Sequence, residues 1–142
     1  MDPREFQRLA GTLAARRDPA ALRSAISRSY YAAHHVVREF VDAAGIRVPG
    51  SGVGHQFLIN LLGEAGDPEL QETGRSLGDL YSRRLDADYR LSARDTEQPS
   101  TARFYVDLAG GIIKEVEGWL VGPRRTALAS ELKAVEARVR RR

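Results

Sequence analysis

A long amphipathic segment, residues 19–44, constrains the fold of this chain more than any other feature of its sequence. Its apolar residues recur every three or four positions, as they do along one face of an α-helix. These residues are Leu22, Ile26, Tyr30, Ala33, Val37, Phe40 and Ala44. The rest of the chain has no strand pattern, so other helices have to cover this face. We therefore predict an all-α protein, an antiparallel up-and-down helical bundle.

Start and stop signals place the remaining helices. An aspartate that can cap a helix stands directly before a proline at three places. The three dipeptides are Asp2-Pro3, Asp18-Pro19 and Asp67-Pro68. Gly45 and Gly66 stand where helix ends favour a residue that tolerates positive φ. We predict helices at residues 3–17, 19–44, 53–65, 68–89 and 100–121, with Leu9 in the apolar stripe of the first and Phe104 in that of the last.

The dipeptide Gly122-Pro123 should interrupt the chain and divide it in two. We predict a helical bundle at residues 1–122 and a basic C-terminal helical arm at residues 123–142. The apolar residues of the arm are spaced 4, 3 and 4 apart, a seam only one residue wide. They are Leu128, Leu132, Val135 and Val139. Such a seam favours a packed arm or a helix that faces a partner over a core helix.

Composition limits the classes of protein to which the chain can belong. The 142 residues suggest one domain, and they include no cysteine, which excludes disulfides and thiolate metal sites. No signal peptide and no apolar run long enough to span a bilayer is apparent, so we expect a cytoplasmic protein that does not enter a membrane. The net charge is +3, and 20 of the 22 basic residues are arginine. Arginine suits phosphate recognition, but a GC-rich genome produces the same bias.

Two charged residues of the fourth predicted helix lie on the continuation of its apolar face. At 100° per residue, Arg84 and Asp88 fall close to the direction of Leu77. A charge that faces a core is costly unless it is paired or lies at an opening. Arg84 and Asp88 are four residues apart, so they could form a structural ion pair. Alternatively, they could line a polar cleft, or a contact between subunits, in which Arg84 binds a phosphate.

A polar and aromatic stripe runs beside the apolar face of the second helix. Its members, spaced 3, 4 and 3, are Arg28, Tyr31, His35 and Arg38. The stripe is either a solvated face or subunit interface, or a groove with histidines that titrate near neutral pH. His55, at the start of the third helix, is either a helix cap or a group with a role in chemistry. The histidines do not have metal-ligand spacing, and the glycines of residues 50–54 lack the strand and lysine of a phosphate loop, so we predict no metal and no cofactor.

Three segments carry a family resemblance. RSAISRSYYAAHHVVREF resembles the helix signature of HEPN-domain proteins, which is close to R-A-x-S-R-x-Y-Y-A-x-F-H, with His34 in place of the aromatic residue. GHQFLINLL places His55 where the family has a histidine at the start of the next helix. LYSRRLDADYRL resembles the family branch with L-Y-x-x-R-x-x-A-D-Y. The resemblance covers residues 18–120 in the family's order.

The resemblance implies a paired helical bundle that acts on RNA. Many HEPN proteins are metal-independent endoribonucleases, often toxins encoded beside a nucleotidyltransferase antitoxin, and they work as homodimers. Their motif is an arginine followed by a histidine after four to six residues, but here Tyr89 holds the fifth position after Arg84. A tyrosine with its ordinary pKa of about 10 is a poor general base near neutral pH. The missing imidazole would therefore have to come from His35 or His55.

Three functional hypotheses follow. The first is an RNA-directed component of a toxin–antitoxin or defence system with a degenerate ribonuclease motif, in which Arg84 and His35 are the candidate catalytic residues. The second is a non-catalytic module that binds RNA, a nucleotide or a nucleotidyltransferase partner in the same cleft. The third is a purely structural dimer. The remaining residues expected to line the cleft are Arg28, Tyr31, His55, Asp88 and Tyr89.

Overall fold

The computed structural model describes residues 1–140, and within that range the chain is all-α. The predicted helical bundle is therefore confirmed. Its helices are α1 (Arg4–Arg16), α2 (Pro19–Ala43), α3 (Val53–Gly63), α4 (Pro68–Tyr89), α5 (Pro99–Val121) and α6 (Arg125–Val139). The loop between α4 and α5 contains a 3-10 turn, Arg94–Glu97. Within residues 1–140, no helix combines the length and the apolar character that crossing a bilayer requires.

Two of the three predicted aspartate caps are present, whereas the N-cap residue of α1 is Pro3, and the Asp2 carboxylate accepts a hydrogen bond of 2.9 Å from the backbone of Arg4. The carboxylate of Asp18 accepts a hydrogen bond from the backbone of α2 at 3.4 Å, and that of Asp67 accepts two from α4 at 3.0 and 3.1 Å. Gly45 adopts the expected positive φ of 82° after α2. The same expectation for Gly66 was wrong, because α3 ends earlier, at Gly63. The left-handed residue after α1 is instead Arg17, with φ of 68°.

Helix α2 is the central helix of the bundle. It packs against α1, α4 and α5. Its buried residues include sequence neighbours such as Ala32 and Ala33, so more than one face of the helix is buried. The turn between α1 and α2 has only two residues, so these helices run antiparallel. Because several helices surround α2, side chains from its middle turns reach both the apolar core and the half-exposed surface beside α1 and α4.

Two apolar residues expected in the core are exposed. Leu9 of α1 is 45% exposed and Phe104 of α5 is 61% exposed. Helix α1 instead buries Ala10 and Ala14, in an apolar cluster that also contains Val106 of α5. The small alanine side chains let the helices pack closely. Because α1 turns these alanines toward the bundle, the larger Leu9 points outward.

The terminal helix α6 packs onto the bundle. Leu128, Leu132 and Val135 are buried and belong to the same apolar cluster as the centre of α2. Of the two roles predicted for the narrow seam, the structure shows the packed arm. Arg138 and Arg140 remain exposed, whereas Arg141 and Arg142, predicted as part of the basic end, lie outside the described residues. The division of the chain near residue 122 stays a prediction.

We expect the variant Gly74→Ala to destabilise the protein by about 1–3 kcal/mol, because helices α3 and α4 touch backbone to backbone at this residue. A Cβ atom on Gly74 would lie 2.7 Å from the backbone nitrogen of Gly63 and 3.0 Å from Leu62. The matched control is Gly111→Ala on α5, where an added Cβ meets nothing within 4 Å. The control should gain up to about 1 kcal/mol from helix propensity. Urea unfolding measures both, and a Gly74→Ala variant as stable as wild type would contradict the expectation.

Candidate functional site

A cluster of aromatic rings joins α2, α3 and the second half of α4. Tyr30 of α2 is fully buried at its centre, and its ring centroid lies 5.5 Å from that of His55 and 5.4 Å from that of Tyr81. The Tyr30 hydroxyl lies 2.5 Å from Nδ1 of His55 and 3.4 Å from Nδ1 of His34. One hydroxyl therefore serves two imidazoles, and it can donate its single proton to only one of them. We call Tyr30, His34 and His55 the histidine network.

The histidine network is held in its uncharged form. Burial raises the pKa of the Tyr30 hydroxyl far above its ordinary value. Burial first, and then repulsion from His55 and His35, lower the pKa of His34 to about 3. The pKa of His55 is also lowered, first by burial and then by the nearby Arg84 guanidinium. At neutral pH, therefore, both imidazoles are neutral, and the positive charge of Arg84 acts on both.

Arg84 of α4 forms an ion pair with Asp88, which was one of the two predicted alternatives. Its Nε lies 2.9 Å from Oδ2 of Asp88, and its Nη2 donates a hydrogen bond of 2.6 Å to the hydroxyl of Tyr31. The Nε–H makes no aligned hydrogen bond within the described residues, although the atom is buried. Burial acts to lower the pKa of Arg84, but Tyr31 and Asp88 outweigh it, and the pKa lies above its ordinary value. The guanidinium is thus a fixed positive charge, held in place by Tyr31 and Asp88.

Arginines and aromatic rings alternate across three helices. The guanidinium carbon of Arg84 lies 5.4 Å from the ring centroid of Tyr89 and 5.0 Å from that of Tyr31. The guanidinium carbon of Arg28 lies 5.0 Å from Tyr31 and 5.2 Å from Phe6 of α1. We call these five residues the arginine–aromatic ladder. Tyr89 is 69% exposed and the other four are partly buried, so the ladder reaches the surface at the α4 end.

The two candidate histidines lie in different parts of the site. His35 stacks on Phe6 and Tyr31, with ring centroids 6.4 and 6.3 Å apart, and borders a groove between α1 and α2. Burial lowers its pKa, Arg38 lowers it further and Glu39 opposes both, while Arg84 is not among these influences. His55 is the partly exposed imidazole whose pKa Arg84 does affect. As a partner for Arg84, His55 is therefore better placed, and the assignment of His35 stays a prediction.

Sequence reasoning missed the residue that holds the end of α4 in place. Arg23 of α2 is buried, and its guanidinium binds the Glu97 carboxylate with an Nε to Oε2 distance of 2.8 Å. It also donates to five backbone carbonyl oxygens at 3.0–3.2 Å, and these belong to Asp86, Ala87, Arg90, Leu91 and Ala93. The last carbonyls of a helix otherwise lack partners, so Arg23 caps α4 directly beside Asp88 and Tyr89. Its spacing could have indicated that Arg23 is buried, because Arg23 precedes Tyr30 by two helical turns and lies on the same buried face of α2.

Comparison of this chain with protein-family models, curated proteins and solved structures gives no match. The HEPN resemblance therefore depends on the motifs of α2, α3 and α4 alone. Within residues 1–140, no three histidine or acidic side chains converge as ligands for a metal ion. The site presents guanidinium groups, aromatic faces and neutral imidazoles to a ligand.

Proposed function

We propose that this chain is an HEPN-like, RNA-directed protein and that the arginine–aromatic ladder receives a single RNA strand. The observation that carries the proposal is the alternation of two guanidinium groups with three aromatic rings at about 5 Å. Aromatic faces stack on bases of any sequence, and guanidinium groups bind phosphates and also stack. Single-stranded RNA presents both partners in alternation, because its bases can be splayed out from the backbone.

The packing around Arg84 favours this use. Tyr31 and Asp88 hold the guanidinium in one orientation, so little side-chain entropy remains to be lost when a phosphate binds. Tyr89 supplies an exposed ring next to it, and Arg28 extends the surface toward α1. By the resemblance, the protein works as a homodimer in a toxin–antitoxin or defence system with a nucleotidyltransferase-type antitoxin. These partners are part of the proposal, and the support for them is the resemblance of the α2, α3 and α4 motifs to the HEPN family.

A second candidate function is metal-independent RNA cleavage with Arg84 and His55, and the observation that favours it is the lowered pKa of His55. A neutral imidazole can take the proton from a ribose 2′-hydroxyl, whose oxygen then attacks the adjacent phosphorus while the bond to the 5′-oxygen breaks and that oxygen takes up a proton from water. Arg84 would stabilise the charge on the phosphate oxygens. Tyr89 stands where the family motif has histidine, and loss of a proton-transfer group costs about 10²- to 10⁴-fold in rate. Binding is therefore the primary proposal and slow cleavage the second.

We expect Arg84→Ala to weaken binding of a labelled single-stranded RNA of about 12 nucleotides by roughly tenfold, measured by fluorescence anisotropy in the presence of EDTA. The slope of log K against log salt should fall by about 0.7, because one phosphate contact is lost. Tyr89→Ala should weaken binding by a similar factor without changing the slope, because it removes only stacking. The matched control is Arg75→Ala, an exposed arginine on the same helix that pairs with Glu72.

Two results would contradict the RNA proposal: no binding by the wild-type protein, or equal losses from Arg75→Ala and Arg84→Ala. Cleavage is read in the same samples as products with a 2′,3′-cyclic phosphate end. His55→Gln, which keeps a hydrogen-bonding group near Tyr30, should abolish such cleavage, and His35→Gln should retain it if His55 is the base. Loss of cleavage only in His35→Gln would instead restore the prediction made for His35.

A further inference from the structure

A groove on the far half of α4 plays no part in the site described above. It lies between the N-terminal half of α4 and the middle of α5 and has a volume of about 480 Å³. Leu108, Gly111 and Ile112 of α5 form one wall, and Pro68 and Thr73 of α4 lie on the other. An apolar groove between two helices has the form of sites that accept one face of an amphipathic helix.

The rim of the groove is acidic, although the whole chain is basic. Four carboxylates line it, and they belong to Glu69, Glu72, Asp107 and Glu115. No lysine or arginine of the described chain lines it, while the chain has a net charge of +3. Three carboxylates pair with exposed arginines at its margin, and the pairs are Glu69–Arg124, Glu72–Arg75 and Asp107–Arg103. Exposed pairs of this kind contribute little and exchange readily for a partner's cations.

Two further features mark the groove as unfilled. At Gly111, an added Cβ atom would meet nothing within 4 Å, so the helix backbone is open to close approach. Glu115 forms no ion pair within the described residues, which leaves one rim carboxylate free for a cation.

We propose that this groove binds an amphipathic helix of a partner protein, one whose apolar strip is flanked by lysine or arginine. The apolar walls match the strip, and the four rim carboxylates match the flanking cations. The unpaired Glu115 carboxylate repels a phosphate backbone, so the groove suits a cationic helix better than the RNA proposed for the ladder. Thr73 and Arg84 are 11 residues apart on α4, about 16 Å along the helix axis, so both surfaces can be occupied together.

The probe for this proposal is an acetylated, fluorescein-labelled peptide of about 14 residues, or about four helical turns, with leucine on one face and lysine elsewhere. A peptide with the same leucine pattern and glutamate in place of lysine tests charge, and a scrambled leucine–lysine peptide tests amphipathicity. The first peptide is made in several versions that start the leucine pattern at different positions. We expect the full-length protein to bind at least one version at least tenfold more tightly than the other two peptides. Equal binding of the lysine and glutamate peptides, or no binding by any version of the leucine–lysine peptide, would overturn the proposal.

Two variants localise the binding. Gly111→Leu fills the groove from α5 and should weaken peptide binding about tenfold, whereas the matched control Gly11→Leu, at an equally open position of α1, should bind like wild type. Glu115→Gln removes the unpaired carboxylate without breaking an ion pair, and it should weaken binding about threefold at low salt and less at high salt. Circular dichroism verifies that each variant is folded. Unchanged binding by both Gly111→Leu and Glu115→Gln would overturn the proposal, whatever the result with RNA.

Discussion

Replacing Arg23 by alanine is expected to lower the free energy of unfolding by about 3–5 kcal/mol, the range found when one partner of a buried charged network is removed. The guanidinium binds Glu97 and five backbone carbonyls at the end of α4 and in the loop that follows. Alanine would leave the Glu97 carboxylate without its partner and the carbonyl oxygens of Ala87 and Leu91 without a donor. Because the same segment carries Asp88 and Tyr89, we expect the variant also to loosen the ladder at its exposed end.

Urea unfolding followed by circular dichroism measures the loss of stability in Arg23→Ala. Arg23→Lys keeps the charge but presents three donors from one nitrogen, so it should recover only part of the stability. The control is Arg103→Ala on α5, an exposed arginine 3.9 Å from Asp107, which should change stability by less than about 0.5 kcal/mol. Hydrogen exchange at the amide of Arg90, which donates to Asp86, should accelerate in Arg23→Ala. A loss below about 1 kcal/mol would show that Arg23 is not the cap described here.

Acid is expected to destabilise the protein through His34, by about 3 kcal/mol between pH 7 and pH 4. In the unfolded chain His34 takes up a proton near pH 6.5, but in the folded protein its pKa is about 3, because burial and then His55 and His35 oppose the charge. The unfolded state therefore binds more protons between these values, and each pH unit in that window costs about 1.4 kcal/mol. The stabilisation is complete above pH 6.5 and is lost as the pH falls toward 3.

The variant His34→Phe isolates this contribution, because phenylalanine fills a similar volume and does not titrate. Wild type and variant share every other titrating group near the site, including His55, Arg38 and Arg84. The difference in their free energies of unfolding should therefore change by about 3 kcal/mol between pH 7 and pH 4, in favour of the variant at low pH. Parallel stability curves would show that His34 is not buried in its neutral form.

Local signals allowed most of the helical framework to be predicted. The bounds of α4 are the predicted ones, Pro68–Tyr89, and α2 ends one residue before its predicted end. Proline position, capping carboxylates and the 3.6-residue period act within a few residues, so they can be read without knowledge of the fold. The ion pair of Arg84 with Asp88 was predictable for the same reason, since both residues lie on one helix.

Contacts between helices account for what the sequence did not reveal. Arg23 binds carbonyls more than 60 residues away, so only its place on the buried face of α2 hinted at a partner. The outward turn of Leu9 follows from the alanines that let α1 lie close to its neighbours. The ladder needs α1, α2 and α4 at once, and no spacing within one helix predicts that Arg28 lies between Tyr31 and Phe6.

The shared hydroxyl of Tyr30 makes the tautomers of two imidazoles depend on each other. When both hydrogen bonds of the network are kept, the hydroxyl donates to Nδ1 of one histidine and accepts from Nδ1 of the other. A group that binds Nε2 of His55 as donor or acceptor selects the tautomer of that ring, and through Tyr30 it selects the opposite tautomer of His34. Binding at the partly exposed ring of His55 therefore determines which nitrogen of His34 carries the proton, although His34 is only 5% exposed.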